Sequence, residues 1–121
     1  MDLSICLVPL NALVYLKPLL ASIERYSSGL SYEVIIVDNG STDGTVAWIE
    51  QHHPEITLIR NQSNLGFTRG NNQAMALAKG DYILLLNPDT LLTEDCFGPQ
   101  IAYLRQNPQV GITIPKVLNE D

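Results

Sequence analysis

Residues Glu33 to Thr45 read EVIIVDNGSTDGT and specify the central unit of the fold. The VIIV segment is an unbroken run of β-branched residues, which is typical of a strand covered on both faces, as in parallel sheets. The DNGSTDGT segment that follows consists of turn-forming and helix-capping residues. A buried strand, a tight turn and a helix in direct succession are the basic unit of an α/β domain.

The same alternation of short and long apolar patterns continues on both sides of this stretch. Short apolar runs predict strands over residues 3–8, 33–37, 56–59, 82–86 and 110–115. Longer periodic patterns predict helices over residues 13–26, 43–52, 68–79 and 93–106, with Ser41 or Thr42 capping the second helix and Thr93 the last. We therefore expect a three-layer, Rossmann-like α/β domain with a mainly parallel sheet.

Composition limits the number of domains and the classes of partner. The chain has 121 residues, 45% of them hydrophobic and 17% charged, which suits one globular domain. Its formal net charge is −6, so we expect no basic face and no nucleic acid partner. Cys6 and Cys96 lie in different predicted elements without metal-ligand spacing, which favours buried, reduced thiols in a cytoplasmic protein.

Ligands of such sheets bind at the carboxyl ends of the strands, which directs attention to residues 9–12, 38–42, 61–67 and 87–90. The first of these loops reads PLNA and has no glycine, whereas a dinucleotide site needs glycines there to let the backbone approach a pyrophosphate. The chain also has no Gly-x-x-x-x-Gly-Lys-Ser/Thr phosphate loop. These observations disfavour NAD and P-loop chemistry.

Asp38 ends the second predicted strand and begins the DNGSTDGT turn. Its carboxylate can accept a hydrogen bond from a ribose hydroxyl or a base N–H with charge-assisted strength. The alternative is that the segment is only a turn and a helix cap, because Asn, Gly, Ser, Thr and Asp favour such structures. The sequence leaves both interpretations open.

Two further loops carry candidate ligand groups. In the tetrad Asn87-Pro88-Asp89-Thr90, one carboxylate can hold a hard divalent cation on a diphosphate, or the tetrad is a β-turn with an exposed Asp. The amides of residues 61–72 can read a base or ribose, or serve the backbone of a long loop. His52 and His53 are interpreted as surface residues at a helix end.

Taken together, these segments resemble glycosyltransferase family 2, which has the GT-A fold. Residues 38–45 are similar to the signature after the family's second strand, and residues 64–67, 72–74 and 78–83 resemble its next block. Residues 84–90, reading LLLNPDT, resemble its Asp-x-Asp region in the form common among rhamnosyltransferase-like members. The resemblance spans nearly the whole chain and implies that residues 1–121 are the N-terminal, nucleotide-sugar-binding part of a GT-A domain, truncated before its end.

The resemblance also implies site residues. The positions expected to contact the nucleotide sugar are Pro9, Leu10, Asn11, Asp38, Gly66, Phe67, Asn72, Asn87 and Asp89. The first three would line the base and ribose pocket, and Asp38 would bind a uracil or thymine imide, or the ribose. Asp89 would hold Mg²⁺ or Mn²⁺ on the diphosphate of a UDP- or dTDP-sugar. Asn87 stands where many members carry the first carboxylate of Asp-x-Asp.

The implied activity is inverting transfer, in which an acceptor hydroxyl, deprotonated by a carboxylate, displaces the nucleoside diphosphate in one step. The implied partners are a nucleotide-sugar donor and a saccharide or lipid-linked acceptor, in a cytoplasmic enzyme of cell-envelope polysaccharide synthesis next to the inner membrane. The family's base lies well downstream, so no catalytic residue is expected in this chain. An uncovered sheet is expected to promote self-association. The alternatives are a non-catalytic nucleotide- or sugar-binding module and a nucleotidyltransferase.

Overall fold

The computed structural model describes residues 1–118. Within this range strands and helices alternate strictly, in the order β1 (Leu3–Leu7), α1 (Leu13–Tyr26), β2 (Tyr32–Asp38), α2 (Thr45–His52), β3 (Thr57–Arg60), α3 (Phe67–Leu77), β4 (Tyr82–Leu86) and α4 (Phe97–Gln106). The strands form one sheet in the order β3-β2-β1-β4, and every neighbouring pair is parallel. The predicted α/β class with a parallel sheet is confirmed.

Side chains alternate between two hydrophobic cores, one on each face of the sheet. Leu3, Ile5, Leu7 and Ile36 point to the core that contains the buried faces of α1, α2 and α4. The opposite core is smaller and includes Cys6, Val8, Ile35, Val37 and Ala74, the last from α3. Each fully buried Leu or Ile contributes roughly 1.5–3 kcal/mol relative to exposure. Helices on both faces give the predicted three layers.

The close approach of α3 to the sheet depends on a glycine. A Cβ at Gly70 would lie 2.4 Å from Cγ1 of Val8, which is closer than real Cβ atoms come to other atoms. Glycine at this position therefore lets the second turn of α3 rest directly on the end of β1. This contact fixes the start of α3 close to the loops that follow the strands.

The α3 face of the edge strand β4 is uncovered. Ile83 and Leu85 point to this face and are 46% and 47% exposed. They are the register partners of Ser4 and Cys6 in β1, both of which are fully buried. Neighbouring strands at the same level thus differ sharply in burial, because α3 covers β1 and β2 but nothing within residues 1–118 covers β4 on this side.

Most element boundaries agree with the sequence prediction to within one or two residues. The helix at residues 13–26 and the strand at residues 82–86 have the predicted bounds. The predicted cap of α2 by Ser41 or Thr42 is wrong, because the residue before this helix is Gly44 in the left-handed region, with φ of 89°. Neither hydroxyl caps the helix, because that of Ser41 donates to Asp38 and that of Thr42 to Asn11.

The predicted start of the last helix at residue 93 is also wrong. The helix α4 begins at Phe97, and the carboxylate of Asp95 accepts a hydrogen bond from the amide of Gly98 at 3.1 Å. Pro99 lies in the first helical turn, where its missing N–H is tolerated. Residues 93–96 read TEDC, a capping residue and acidic residues that are typical of a helix start, but the helix does not include them.

The predicted fifth strand at residues 110–115 is wrong as well, because these residues have no regular secondary structure. The alternating Ile112 and Ile114 suggested a strand, yet both side chains are 82% exposed. Without a surface to bury these side chains, little opposes the entropy cost of ordering a strand. Among the helices of residues 1–118, none has both the length and the apolar character needed to cross a membrane.

Candidate functional site

The carboxyl ends of β2, β1 and β4 lie side by side. Leu7 in the central strand pairs with Ile36 on one side and Leu86 on the other. Neighbouring strands are about 4.8 Å apart, so the ends of β2 and β4 are separated by roughly 10 Å. The loops that follow the strands, residues 8–12, 39–44, 61–66 and 87–96, therefore meet at one edge of the sheet, called here the carboxyl edge.

Asp38 ends β2 at this edge and is only 2% exposed. Its Oδ2 accepts hydrogen bonds from the amides of Gly40 at 3.2 Å and Ser41 at 2.9 Å, and its Oδ1 accepts one from the Ser41 hydroxyl at 2.6 Å. A carboxylate offers about four acceptor positions. The turn fills three of them, which leaves one position on Oδ1 for a further donor.

An open pocket of about 640 Å³ lies beside this carboxylate. Its lining residues are Asp38, Gly40, Ser41, Thr42, Val46, Arg60, Asn61 and Gln62. Arg60 is the register partner of Asp38 in β3, and its Nη1 lies 3.5 Å from Oε1 of Glu50, with both side chains more than half exposed. Arg60 was not predicted as a site residue, although it ends a strand, whereas Gln62 is one of the amides of residues 61–72 that the sequence offered as ligand groups.

A second groove of about 370 Å³ runs along the outer edge of β4, between α4 and residues 111–113. None of the nine predicted nucleotide-sugar contacts lines it. Its walls include Phe97, Ile101 and Ile112, and it extends to Leu3 and Asp81 at the opposite end of the strands. The residues that we expect from the sequence to contact a ligand therefore lie outside this groove.

The first loop is fastened to the DNGS turn. Pro9 is buried and Leu10 is 41% exposed. Asn11 adopts a positive φ of 50°, its amide donates to Oγ of Ser41 at 2.9 Å, and its Oδ1 accepts from the amide of Thr42 at 2.8 Å. Asn11 thus joins two loops through its amide and its side chain, and Leu10 is an exposed apolar group of the first loop.

Asp43 connects the same turn to two helices, which the sequence did not reveal. Its Oδ2 accepts from the amide of Leu13 at 3.0 Å, and its Oδ1 accepts from the amide of Thr45 at 3.1 Å and from the Thr45 hydroxyl. Desolvation alone would raise the pKa of the Asp43 carboxyl. The hydrogen bonds from the Thr45 hydroxyl and the Leu13 and Thr45 amides outweigh it, so the pKa is lowered from its ordinary value of 3.8.

The loop at residues 61–66 is held by side-chain amides. Asn61 hydrogen-bonds to both Asn39 and Gln73, and Asn39 also bonds to the backbone of Leu65 and Gly66. From the sequence, Asn39 was interpreted as a turn residue and the amides of residues 61–72 as ligand groups. The high frequency of Asn and Gln in residues 61–72 indicated a special role for this segment. The partner of each amide, however, depends on the tertiary structure.

The predicted contacts at the start of α3 are brought to the carboxyl edge but differ in exposure. Gly66 precedes the helix with φ of 89°, a conformation that favours glycine. Phe67 is 55% exposed, and Asn72 and Arg69 are also exposed. The adjacent Asn71 is 4% exposed, and its Nδ2 has no hydrogen-bond partner within residues 1–118.

The tetrad after β4 forms a turn. The amide and hydroxyl of Thr90 donate to the carbonyl of Asn87 at 3.3 Å and 2.7 Å. The side chains of Asn87 and Asp89 are exposed, and neither has a hydrogen-bond partner in the described chain. Mg²⁺ typically takes one or two carboxylates together with substrate phosphates and water, and an exposed, unengaged carboxylate fits that mode.

Metal binding by protein groups alone is not supported. Residues 1–118 contain no group of three or more His, Cys, Asp and Glu side chains positioned to hold a metal ion. Nδ1 of His52 lies 3.0 Å from the Trp48 carbonyl, and Nδ1 of His53 lies 3.0 Å from Oε1 of Glu55. Both histidines are thus engaged locally at the end of α2.

Fold and site together define a Rossmann-like α/β domain with a polar crevice at its carboxyl edge and without a glycine-rich phosphate loop. The chain belongs to Glycosyl transferase family 2, whose sequence model matches residues 4–120. It is 35% identical over 109 residues to the abequosyltransferase RfbV of Salmonella typhimurium, covering 86% of this chain and 33% of that protein. It is 32% identical over 103 residues to the uncharacterized glycosyltransferase YfnE of Bacillus subtilis, covering 84% of this chain and 26% of that protein.

Solved structures confirm the GT-A fold. The crystal structure of residues 1–349 of Staphylococcus aureus TarS in complex with UDP-GlcNAc has a TM-score of 0.78 at 22% identity, over 89% of this chain and 32% of that one. The mannosyltransferase PcManGT of Pyrobaculum calidifontis, in complex with GDP-Man and Mn²⁺, has a TM-score of 0.69 at 24% identity, over 78% of this chain and 29% of that one. The chain thus spans about a quarter to a third of the length of these relatives and structures.

Proposed function

We propose that this chain is the donor-binding part of an inverting glycosyltransferase that takes a UDP- or dTDP-sugar. The observation that carries the proposal is the buried Asp38 carboxylate, which keeps one acceptor position at the end of a parallel strand, in a chain of Glycosyl transferase family 2. An imide N–H or a ribose hydroxyl is a donor that suits this position. The TarS complex with UDP-GlcNAc, a fold neighbour, is consistent with such a ligand.

The remaining predicted contacts complete the proposed donor site. Leu10 and Phe67 offer exposed apolar surface at the carboxyl edge, against which a base and ribose can pack. Gly66 and Asn72 flank the nucleotide in this proposal. Pro9 and Asn11 belong to the loop that Asn11 bonds to Ser41 and Thr42, two of the residues that line the pocket. The LLLNPDT form of the Asp-x-Asp region favours the rhamnosyltransferase-like members of the family.

Asp89 is the proposed ligand of Mg²⁺ or Mn²⁺, with Asn87 beside it. A bound divalent cation supplies charge neutralisation for a departing diphosphate. The chain's own contribution is to hold one exposed carboxylate on the turn after β4, a strand whose end lies about two strand spacings from the end of β2. The PcManGT complex with Mn²⁺ is consistent with a metal in this family's fold.

The base that deprotonates the acceptor lies outside this chain in our proposal. The acceptor is a saccharide or a lipid-linked saccharide, and the full-length protein works in the cytoplasm beside the inner membrane, in cell-envelope polysaccharide synthesis. The relatives named as glycosyltransferases are about three to four times longer than the matched region, which leaves room for such elements in a longer protein.

Calorimetry with the complete chain tests the proposal. We expect UDP and dTDP to bind with Kd values in the micromolar to millimolar range, which corresponds to roughly 4–8 kcal/mol. ADP is the control, because the proposed site reads a pyrimidine imide. Absence of binding by both pyrimidine nucleotides at millimolar concentration would overturn the proposal. Equal binding of ADP would favour a general nucleotide-binding module instead.

A further inference from the structure

A pair of side-chain amides lies between the loop at residues 61–66 and helix α3. Asn61 Nδ2 donates to Oε1 of Gln73 at 2.8 Å, and Gln73 Nε2 donates back to Oδ1 of Asn61 at 3.0 Å. Each carboxamide thus satisfies the other through one donor and one acceptor. Rotation of either group by half a turn would set donor against donor, so the pair has one favoured orientation.

The same pair fixes a third amide, that of Asn39. Asn61 Nδ2 also donates to Oδ1 of Asn39 at 3.0 Å. Asn39 is 4% exposed and bonds on both sides to the loop backbone, because its Oδ1 accepts from the Leu65 amide at 3.4 Å and its Nδ2 donates to the Gly66 carbonyl at 3.2 Å. Gln73 therefore acts on Leu65 and Gly66 through two intervening side chains.

The loop segment held in this way leads directly into the proposed donor site. Gly66 has φ of 89° and ψ of 166°, and the next residue is Phe67, whose side chain is 55% exposed at the start of α3. A glycine at φ near 90° has many alternative conformations, so the direction of Phe67 depends on what holds the preceding peptide. The bonds from Asn39 hold it on two sides, together with the local bond that the Gly66 amide donates to Oδ1 of Asn64 at 2.9 Å.

We propose that Asn61 and Gln73 are positioning residues for nucleotide binding. Through Asn39 they keep residues 65 and 66 in the conformation that sets Phe67 against the nucleotide. This inference rests on the proposed function, since it takes Gly66 and Phe67 as contacts of the nucleotide. An apolar pair of the same size would anchor the loop but would not fix the orientation of the Asn39 carboxamide.

The test compares Gln73→Ala and Gln73→Glu with wild type, with Gln51→Ala as the control. Gln73→Ala removes both bonds to Asn61, whereas Gln73→Glu keeps an acceptor oxygen and nearly the same shape but loses the donor. Gln51 is an exposed glutamine of α2 without a hydrogen-bond partner in the described chain. The measurements are UDP affinity by calorimetry, hydrogen exchange of the Leu65 amide, and melting temperature.

In Gln73→Ala we expect the loop to adopt the binding conformation about a tenth of the time, so UDP affinity should fall about tenfold. Gln73→Glu should lie between Gln73→Ala and wild type, and exchange at Leu65 should quicken in both. Because Asn61 and Gln73 act in series, the double variant Asn61→Ala/Gln73→Ala should bind no more weakly than Asn61→Ala alone. The Gln51→Ala protein should match wild type in all three measurements.

The outcomes separate this inference from the proposed function. If wild type binds UDP and both Gln73 variants bind it equally well, the positioning role is wrong and the proposed function stands. If the losses of UDP affinity in the Asn61 and Gln73 variants add in the double variant, and each loss is proportional to the fall in melting temperature, the amides contribute only to stability. That result also overturns the inference. If wild type binds no nucleotide, the proposed function fails and the positioning role fails with it.

Discussion

Ser41 donates two hydrogen bonds to the carboxylate of Asp38, from its amide at 2.9 Å and from its hydroxyl at 2.6 Å. This relationship means that the candidate ligand group also builds the turn that shapes its pocket. The two interpretations of the DNGS segment, as a turn or as a ligand site, are therefore physically compatible. It also means that substitution of Asp38 affects stability and binding together, and the experiments must separate the two.

Asp38→Asn should weaken UDP and dTDP binding by roughly 1.5–3 kcal/mol, the usual contribution of a hydrogen bond to a charged group. The amide keeps the shape and one acceptor but loses the charge. Ser41→Ala serves as the comparison, since it removes one turn bond and leaves the carboxylate in place. Thermal unfolding should show that the two variants lose a similar amount of stability. Calorimetry should show that Asp38→Asn loses more nucleotide affinity than Ser41→Ala does. Unchanged affinity would remove Asp38 from the site.

Mn²⁺ should strengthen UDP binding through Asp89, on the order of tenfold, which equals about 1.4 kcal/mol. The physical reason is that an exposed carboxylate and the diphosphate oxygens can share one cation. Calorimetry with Mn²⁺ and with a chelator should show this gain in wild type and its loss in Asp89→Ala. Glu24→Ala, an exposed carboxylate near the end of α1, should keep the gain. If the chelator does not change the affinity of wild type, the tetrad is only a turn.

The chain of residues 1–121 should not transfer sugar to an acceptor. General base catalysis needs a carboxylate within hydrogen-bond reach of the attacking hydroxyl. At the carboxyl edge, Asp38 and Asp43 are engaged in turns and Asp95 bonds to the amide of Gly98. Glu94, which the sequence pattern assigned to a helical turn, precedes α4 and is exposed.

The measurement is release of UDP or dTDP from nucleotide sugars with and without a panel of saccharide acceptors. A longer family member such as the abequosyltransferase RfbV, assayed with its own substrates, is the positive control. Acceptor-dependent turnover by this chain would contradict the prediction. Loss of that turnover in Glu94→Ala would then identify the base.

Acid should selectively remove the stabilisation that Asp43 provides. Its folded-state pKa is lowered below 3.8, so the contribution is present above pH 3.8 and is lost as the pH falls through the folded value. At pH 7, Asp43→Ala should lower the free energy of unfolding by about 1 kcal/mol, as for other capping residues. Urea unfolding at pH 7 and pH 3 should show a smaller difference from wild type at pH 3. An equal difference at both values would contradict this assignment.

The uncovered face of β4 should make the chain self-associate. Ile83 and Leu85 are nearly half exposed on adjacent same-face positions of an edge strand, and exposed apolar sheet surface promotes association. Sedimentation velocity over a range of concentrations should show a dimer or larger species in wild type. The double variant Ile83→Thr/Leu85→Thr should be monomeric, whereas Val14→Thr, at an exposed apolar position on α1, should behave as wild type. A wild-type chain that is monomeric at all concentrations would contradict the prediction.

Local sequence patterns were sufficient to predict the α/β class and the edge of the sheet at which the candidate loops meet. The bounds of α1 and β4 follow from periodicity, because a helix or strand that is buried on a defined face must repeat its apolar residues at its own period. The position of Asp38 at a strand end follows in the same way. Parallel sheets then bring the loops after the strands together, so the candidate loops could be named from their place in the chain, whereas most individual contacts came from the resemblance to the family.

Which polar groups are engaged and which are free to bind a ligand depends on contacts between distant parts of the chain. The bond from the amide of Leu13 to Asp43 joins residues 30 positions apart, and the Asn39 bond to Gly66 joins residues 27 apart. Asn, Asp and Ser side chains accept many partners, so a local pattern cannot select among them. The strand predicted at residues 110–115 is absent for the same reason. An alternating apolar pattern indicates which side chains prefer burial, but their burial requires a surface from another part of the chain to cover them.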